Sequence, residues 1–178
     1  RVNRLQGRLD EAERQLQQRL RASPQPLDDG ALGSLEEYGT LLSDMQRHTE
    51  AEARAREAVA GWADRYGADN ANVGIGRHKL AYVLLGAGRL DEAQQELQAA
   101  LQIEARGRDQ TTVRASYMQA DLARVHMAAG RLHEAEQAWD LALAPPPDSL
   151  PPLALAARQR GLAQTLVWLD RPLEAAPL

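Results

Sequence analysis

No cysteine and no phenylalanine occur in the 178 residues, and aromatic side chains make up only 4% of the chain. Without cysteine there is no disulfide framework and no thiolate metal site, and the redox compartment is left open. A core without phenylalanine has to be built from Leu, Ala and Val, which favours helices packed closely over small side chains. Lysine is almost missing too: of 21 basic residues only Lys79 is one, and the net charge is −4. No broad basic field is therefore available to hold nucleic acid. No apolar run approaches the ~20 residues that cross a bilayer, and no secretory signal is read ahead of the first helical segment. A cytoplasmic location is the default expectation, with the extracytoplasmic domain of a membrane-anchored regulator as the alternative. The chain opens at Arg1 without a methionine, which suggests a piece of a longer protein. Its Ala, Arg, Leu and Gly bias suggests a GC-rich bacterial genome.

What is present is a phrase written three times. Residues 7–20 read GRLDEAERQLQQRL, 88–101 read GRLDEAQQELQAAL and 130–143 read GRLHEAEQAWDLAL. Arg47, Arg89 and Arg131 stand 42 residues apart, each followed four residues later by Ala51, Ala93 or Ala135. Arg8 with Ala12 and Arg171 with Ala175 extend the series at 39 and 40 residues. Nine residues ahead of the last four arginines lie Tyr38-Gly39, Leu80-Ala81, Leu122-Ala123 and Leu162-Ala163. A fixed internal period of this size signals a stacked array of supersecondary units.

Each unit reads as two helices. Leu80, Ala81, Leu84 and Leu85 recur at helical spacing, and Gly86-Ala87-Gly88 then breaks the pattern. Leu90, Ala93, Leu97, Ala100 and Leu101 form a second apolar stripe, repeated one period on by Leu132, Ala135, Trp139, Ala142 and Leu143. Small residues at Ala81, Ala93, Ala123 and Ala135 let two helices cross closely. Gly88 and Gly130 suit the left-handed turn between them, and Asp91-Glu92 suits the positive end of the helix that follows. Gly67 and Gly107 read as helix stops, with Asp69-Asn70 and Asp109 through Thr112 as caps. Ser149 reads as a cap and Pro151-Pro152 as a first turn. The expected organisation is one array over 1–178: a lone second helix (3–20), pairs at about 29–66, 70–105 and 110–144, and a partial unit from 150 whose first helix runs to 169.

Leu80-Ala81, Leu84, Gly88, Leu90, Ala93, Leu97 and Ala100 resemble the tetratricopeptide repeat (TPR) signature. The usual repeat is about 34 residues; this one is longer, and resembles the 42-residue subtype of kinesin light chains and many bacterial signalling proteins. The resemblance implies an all-α fold, a right-handed α-α superhelix with about three full repeats and partial ones at both ends. Two departures stand out: Gln46-Arg47-His48 replaces Gly-Arg-Leu, and His126 sits where Tyr or Leu is usual. No closing helix follows 150–169, so Leu162, Leu166 and Leu169 are expected to form an uncovered apolar face.

Chemical readings fare poorly against this background. GIGRHK at 74–79 lacks the spacing and the Ser or Thr of a phosphate loop and reads as a helix start. His48, His78, His126 and His133 form no i, i+4 pair, so no metal site is expected. Carboxylates fall at capping and i, i+4 positions, and nothing pairs an acid with an activated nucleophile. No catalytic residue and no cofactor are expected in this chain. PPP at 145–147 reads as a stiff connection rather than an SH3-type ligand, and Trp62 and Trp139 as core.

The resemblance implies that first helices line a concave groove that takes a partner peptide or helix. In register, the outward positions are Glu36, Thr40 and Ser43; Ile75, His78, Tyr82 and Leu85; Tyr117, Ala120, Arg124 and Met127; and Arg160, Gln164, Val167 and Trp168. The candidate partner-binding residues are Glu36, Thr40, His78, Tyr82, Tyr117, Arg124, Met127, Arg160, Gln164 and Trp168, several of them good anchor types. The expected ligand is an extended or helical protein segment with acidic and hydrophobic residues. With asparagine only at positions 3, 70 and 72, a chaperone-type carboxylate clamp is not expected. The resemblance further implies the sensor or docking region of a larger bacterial regulator such as a Ser/Thr kinase or signalling NTPase. Two alternatives stand beside it: a self-assembling scaffold dimerising through helix 150–169, and the non-catalytic part of an enzyme whose active domain lies outside this stretch.

Overall fold

The computed structural model describes residues 2–23, 27–107 and 112–175. Among them every regular element is helical: α1 (Val2–Arg21), α2 (Asp29–Asp44), α3 (His48–Tyr66), α4 (Ala71–Gly86), α5 (Leu90–Gly107), α6 (Val113–Ala128), α7 (Leu132–Leu143), α8 (Pro152–Trp168) and the single turn α9 (Pro172–Ala175). A 3-10 turn at Pro147–Ser149 precedes α8. Helix starts follow local chemistry. Asp28 accepts from the Ala31 N–H, Asn70 from Asn72 and Thr112 from Ala115, each satisfying a donor the helix leaves open. Ser149 does not cap α8, because its hydroxyl donates back to the Pro146 carbonyl at 2.6 Å. Pro151 occupies the cap position and Pro152 the first turn, where a missing N–H costs nothing. The expected caps at Asp109 through Thr111 lie outside the described residues.

Two compact units divide the chain, Arg1–Glu96 and Leu97–Leu178, with the boundary inside α5. In the first, α1 packs on α2, α2 on α3 and α4, and α3 on α4. Leu32, Leu35, Leu42, Val73, Leu80 and Leu84 fill its core. Ala51, Ala55 and Ala58 are buried on α3, and the crossing with α2 is tight: a Cβ on Gly39 would lie 3.1 Å from the Ala51 carbonyl oxygen. In the second unit α6 packs on α7 and α7 on α8, over Met118, Leu122, Val125, Trp139, Leu162 and Leu166.

One turn recurs four times. Backbone N–H groups of Arg47, Arg89, Arg131 and Arg171 reach back to the carbonyls of Leu42, Leu84, His126 and Leu166 at 2.8–2.9 Å. The residue before each arginine also bonds back, three residues upstream, as a Schellman turn requires. That residue is left-handed in every case: Gly88 (φ 75°), Gly130 (φ 73°), Gln46 (φ 62°) and Asp170 (φ 60°). Glycine takes this conformation freely, whereas Gln46 and Asp170 bear a steric cost.

The arginine that follows the turn has its own task. Arg47 grips Glu50 in the first turn of its own helix, at 2.7 Å, and Glu13 on α1 at 2.8 Å. Arg89 does the same with Glu92 and with Glu52 on α3. Arg171 repeats it with Glu174 and with Glu136 on α7, both at 2.8 Å. Each bridge ties the start of one second helix to the second helix of the preceding repeat. These arginines hold Glu50, Glu92 and Glu174 below the usual carboxylate range.

The expected apolar face on α8 is corrected by the structure. Leu162 and Leu166 are buried and Leu169 is half-buried, because that stripe is the one turned towards the rest of the second unit. The apolar side chains left outside are Leu153, Val167, Trp168 and, on α9, Leu173.

Candidate functional site

Helix α6 places Tyr117, Ala120, Asp121, Arg124 and Met127 along one stripe, at steps of three and four residues. Helix α8 brings Ala154, Ala157, Arg158, Gly161 and Gln164 to face them, with Arg160 alongside, and Trp139 of α7 closes the base. Together they enclose an open-sided cavity of about 500 Å³, within the range of natural ligand sites. Its walls are mostly apolar. The indole of Trp139 is buried and directs its N–H to the Met127 sulfur at 3.4 Å. Gly161 is what lets α8 lie against that ring: a Cβ there would sit 2.3 Å from Trp139 Cζ2.

Polar groups mark the edges and one point inside. Arg124 pairs with Asp121 at 3.0 Å on the same helix. Arg158 is different, being only 2% exposed. Its guanidinium carbon lies 4.5 Å from the centre of the Tyr117 ring, a favourable cation–π arrangement. Neither Nη1 nor Nη2 has a hydrogen-bond partner. Burial lowers the pKa of this guanidinium below the ordinary arginine value, with Tyr117 and Asp121 acting in the opposite direction. An arginine this deep normally has a bonded partner, because burying an unpaired charge is costly.

Of the residues chosen from sequence, the structure brings Tyr117, Ala120, Arg124, Met127, Arg160 and Gln164 together around this one cavity. Trp168 and Val167 are exposed further along α8 and do not line it. The first-unit candidates have other surroundings. Glu36 is not an open surface position: it is 5% exposed, and accepts from Trp62 Nε1 at 2.7 Å and from Lys79 Nζ at 2.9 Å. The chain's single lysine and a buried indole thus turn this acid into part of the packing between α2, α3 and α4. Ser43 is buried as well. Thr40 donates to the Glu36 carbonyl, Tyr82 donates to Asp44 at 2.7 Å, and Ile75, His78 and Leu85 are half-buried.

Sequence reasoning missed Arg158 and Asp121, and assigned Trp139 to packing alone. A signal for Arg158 was present. It stands four residues ahead of Leu162, as Ser34, Gly76 and Met118 stand ahead of Tyr38, Leu80 and Leu122, and all three of those are buried. Its polar neighbours Gln159 and Arg160 mask that signal.

A second opening of about 460 Å³ lies in the first unit between Leu27, Leu32, Glu57, Ala60, Gly61, Asp64 and Arg65. Its one cation, Arg65, is already paired with Asp29 at 2.7 Å. Among the described residues no group of three or more His, Asp or Glu side chains is placed to hold a metal ion, and no helix is long and apolar enough to cross a membrane.

Residues 31–104 match the family model described as tetratricopeptide repeat. The chain superposes on BtubC (BKLC) from P. vanneervenii with a TM-score of 0.83 at 16% identity, over 99% of this chain and 72% of that one. A putative kinesin light chain from Podosopora anserina with nearly identical TPR-like repeats gives 0.74 at 21% identity, over 97% and 84%. Its Q17M form gives 0.76 at 22%, over the same shares. No curated protein gives a significant sequence match.

Proposed function

We propose that this chain, built of tetratricopeptide repeats of the kinesin-light-chain-like form, holds a segment of a partner protein against α6 and α8. Such repeats are in general protein–protein interaction modules, not catalysts. The observation that carries the reading is the cavity itself. Residues from three helices, six of them picked out by register alone, meet around one open-sided, mostly apolar space. An aliphatic side chain from a partner would fill it against Trp139 and Met127, while Arg124, Arg160 and Gln164 supply a polar rim, the usual anatomy of a binding patch.

Peptides selected from a random display library on the wild-type chain should lose binding to Ala157→Glu. Ala157 is exposed in the cavity wall on α8, so the change blocks the space without touching the core. Unchanged binding, with unchanged helicity by circular dichroism, would remove the cavity from the reading. In the wider setting we assign the chain to the docking region of a larger regulatory protein, of the kinase or signalling-NTPase kind. A full-length sequence with no such domain contradicts that assignment.

A second reading has its own support. Leu153 is 82% and Trp168 52% exposed at opposite ends of α8, which favours self-association through the terminal helix. Sedimentation across a wide concentration range decides it: a monomer throughout rules it out, and a dimer should be lost in Trp168→Ala.

A further inference from the structure

The cavity is lined by a buried cation whose two terminal nitrogens have no hydrogen-bond partner. Arg158, which lines the space between α6 and α8, is 2% exposed, and its two Nη atoms are buried without a hydrogen-bond partner. The acid that lines the same cavity, Asp121, leaves both Nη atoms unbonded and instead pairs with Arg124. The Tyr117 ring covers one face of the guanidinium and supplies no acceptor at its edge. A cation taken out of water in this way destabilises the fold unless something completes it, and a guanidinium edge is shaped for one group above others, a carboxylate bound through two parallel N–H···O bonds.

We infer that Arg158 is the specificity residue of the cavity, and that it reads the side-chain carboxylate of an aspartate or glutamate in the bound partner segment. This rests on the cavity being the partner site. The occupant is a chain segment rather than a small acid, because the exposed face continues along α8 past the cavity through Gln164 to Val167 and Trp168. The acid and its apolar neighbour divide the space between them: the carboxylate meets the Nη edge, and the apolar side chain lies on Met127, Trp139 and Ala157. Neither Nη is open to solvent in the unliganded chain, so admission needs a side chain to move. Tyr117, 38% exposed at the rim, is the one that covers the cation and can swing away.

The test uses a random peptide display library, followed by matched pairs of the selected peptides. Wild-type protein should enrich peptides carrying Asp or Glu at a fixed place beside an apolar residue. Replacing that Glu by Gln should weaken binding about ten- to a hundredfold, the range of a charged hydrogen-bonded pair. Arg158→Met should erase the preference for the acid, and its thermal midpoint without peptide should equal or exceed that of the wild type, since an unpaired buried cation is gone. Enriched peptides with no fixed acid, or equal binding of the Glu and Gln forms, overturn the inference and leave the cavity as a binding site. No enrichment at all overturns both. A lower midpoint for Arg158→Met assigns the arginine to the fold through its contact with Tyr117, and also defeats the inference. The Glu/Gln comparison needs only wild-type protein, and equal binding of the two forms overturns the inference whether or not the variant folds.

Discussion

Replacing Gly161 by alanine tests how closely α8 approaches α7. In a helix interior this change ordinarily stabilises, by about 1 kcal/mol, because alanine loses less backbone freedom and shields its peptide better. Here the new methyl carbon would lie 2.3, 2.6 and 2.7 Å from three atoms of the Trp139 indole. The ring is 4% exposed and bonded to Met127, so it cannot swing aside as the end of a flexible chain would. Either the ring moves into the cavity or the helices separate, and such overpacking costs about 1–3 kcal/mol. Gly33 provides the comparison, since a Cβ there, in the second turn of α2, meets nothing within 4 Å. Gly33→Ala should stabilise by about 0.5–1 kcal/mol. Gly161→Ala should fall about 1–3 kcal/mol below it, with each kcal/mol read as roughly 2–4 °C of thermal midpoint. Trp139 fluorescence should shift in the Gly161 variant only. If both alanines stabilise equally and the emission is unchanged, the close approach is not what glycine serves at 161.

Gln46→Gly and Asp170→Gly should each stabilise, by about 0.5–1 kcal/mol, because both residues sit at positive φ where a side chain is strained; urea midpoints check this, and a loss in either refutes it. His126 is buried, and its pKa is pushed below the ordinary histidine value by burial and then by Arg131. Its contribution to stability is therefore full above about pH 6.5 and declines as the pH falls further, because the unfolded chain takes up the proton first. His126→Leu should flatten the stability profile between pH 7 and pH 5, and a parallel profile contradicts the assignment. Glu50, Glu92 and Glu174, held low by their arginines, act in a lower window, lost only as the pH drops below the usual carboxylate range; Glu92→Gln should make stability less sensitive to acid there. Lys79→Met leaves the buried Glu36 with Trp62 alone and should cost about 1–3 kcal/mol, the partial exposure of Lys79 keeping it below a fully buried pair. Amide exchange on α2 and α4 reports it.

The helices were legible because their signals are local and repeated. Leu and Ala at helical spacing and the left-handed glycines at 88 and 130 act within a few residues of themselves, and the arginine after each turn marks the period even though one of its acids lies on the preceding second helix. The same register found one wall of the cavity, since Tyr117 through Met127 share one stripe of α6. What it could not find depends on neighbours distant in sequence. Glu36 reads as a surface acid until Trp62 and Lys79 are placed beside it. Arg158 reads as solvated until Tyr117 covers it. The α8 stripe of Leu162 and Leu166 looked uncovered because one helix pattern does not tell which neighbour it meets. In each case the hydrophobic periodicity was right, and what a given side chain met was set by another helix.

The arginine bridges also constrain how the chain can change length. Each closes between one period and the next: Arg89 needs an acid three residues ahead in its own helix and another on the second helix before it. Excising residues 48–89, one whole period, would leave Arg47 three residues before Glu92 and still facing Glu13. Both of its contacts would be restored by residues already in the chain. A cut of half that length would leave the arginine with an acid on one side only. Insertions and deletions are thus tolerated in steps of a complete helix pair, and the phrase GRLDEA doubles as the mark at which such a step begins and ends.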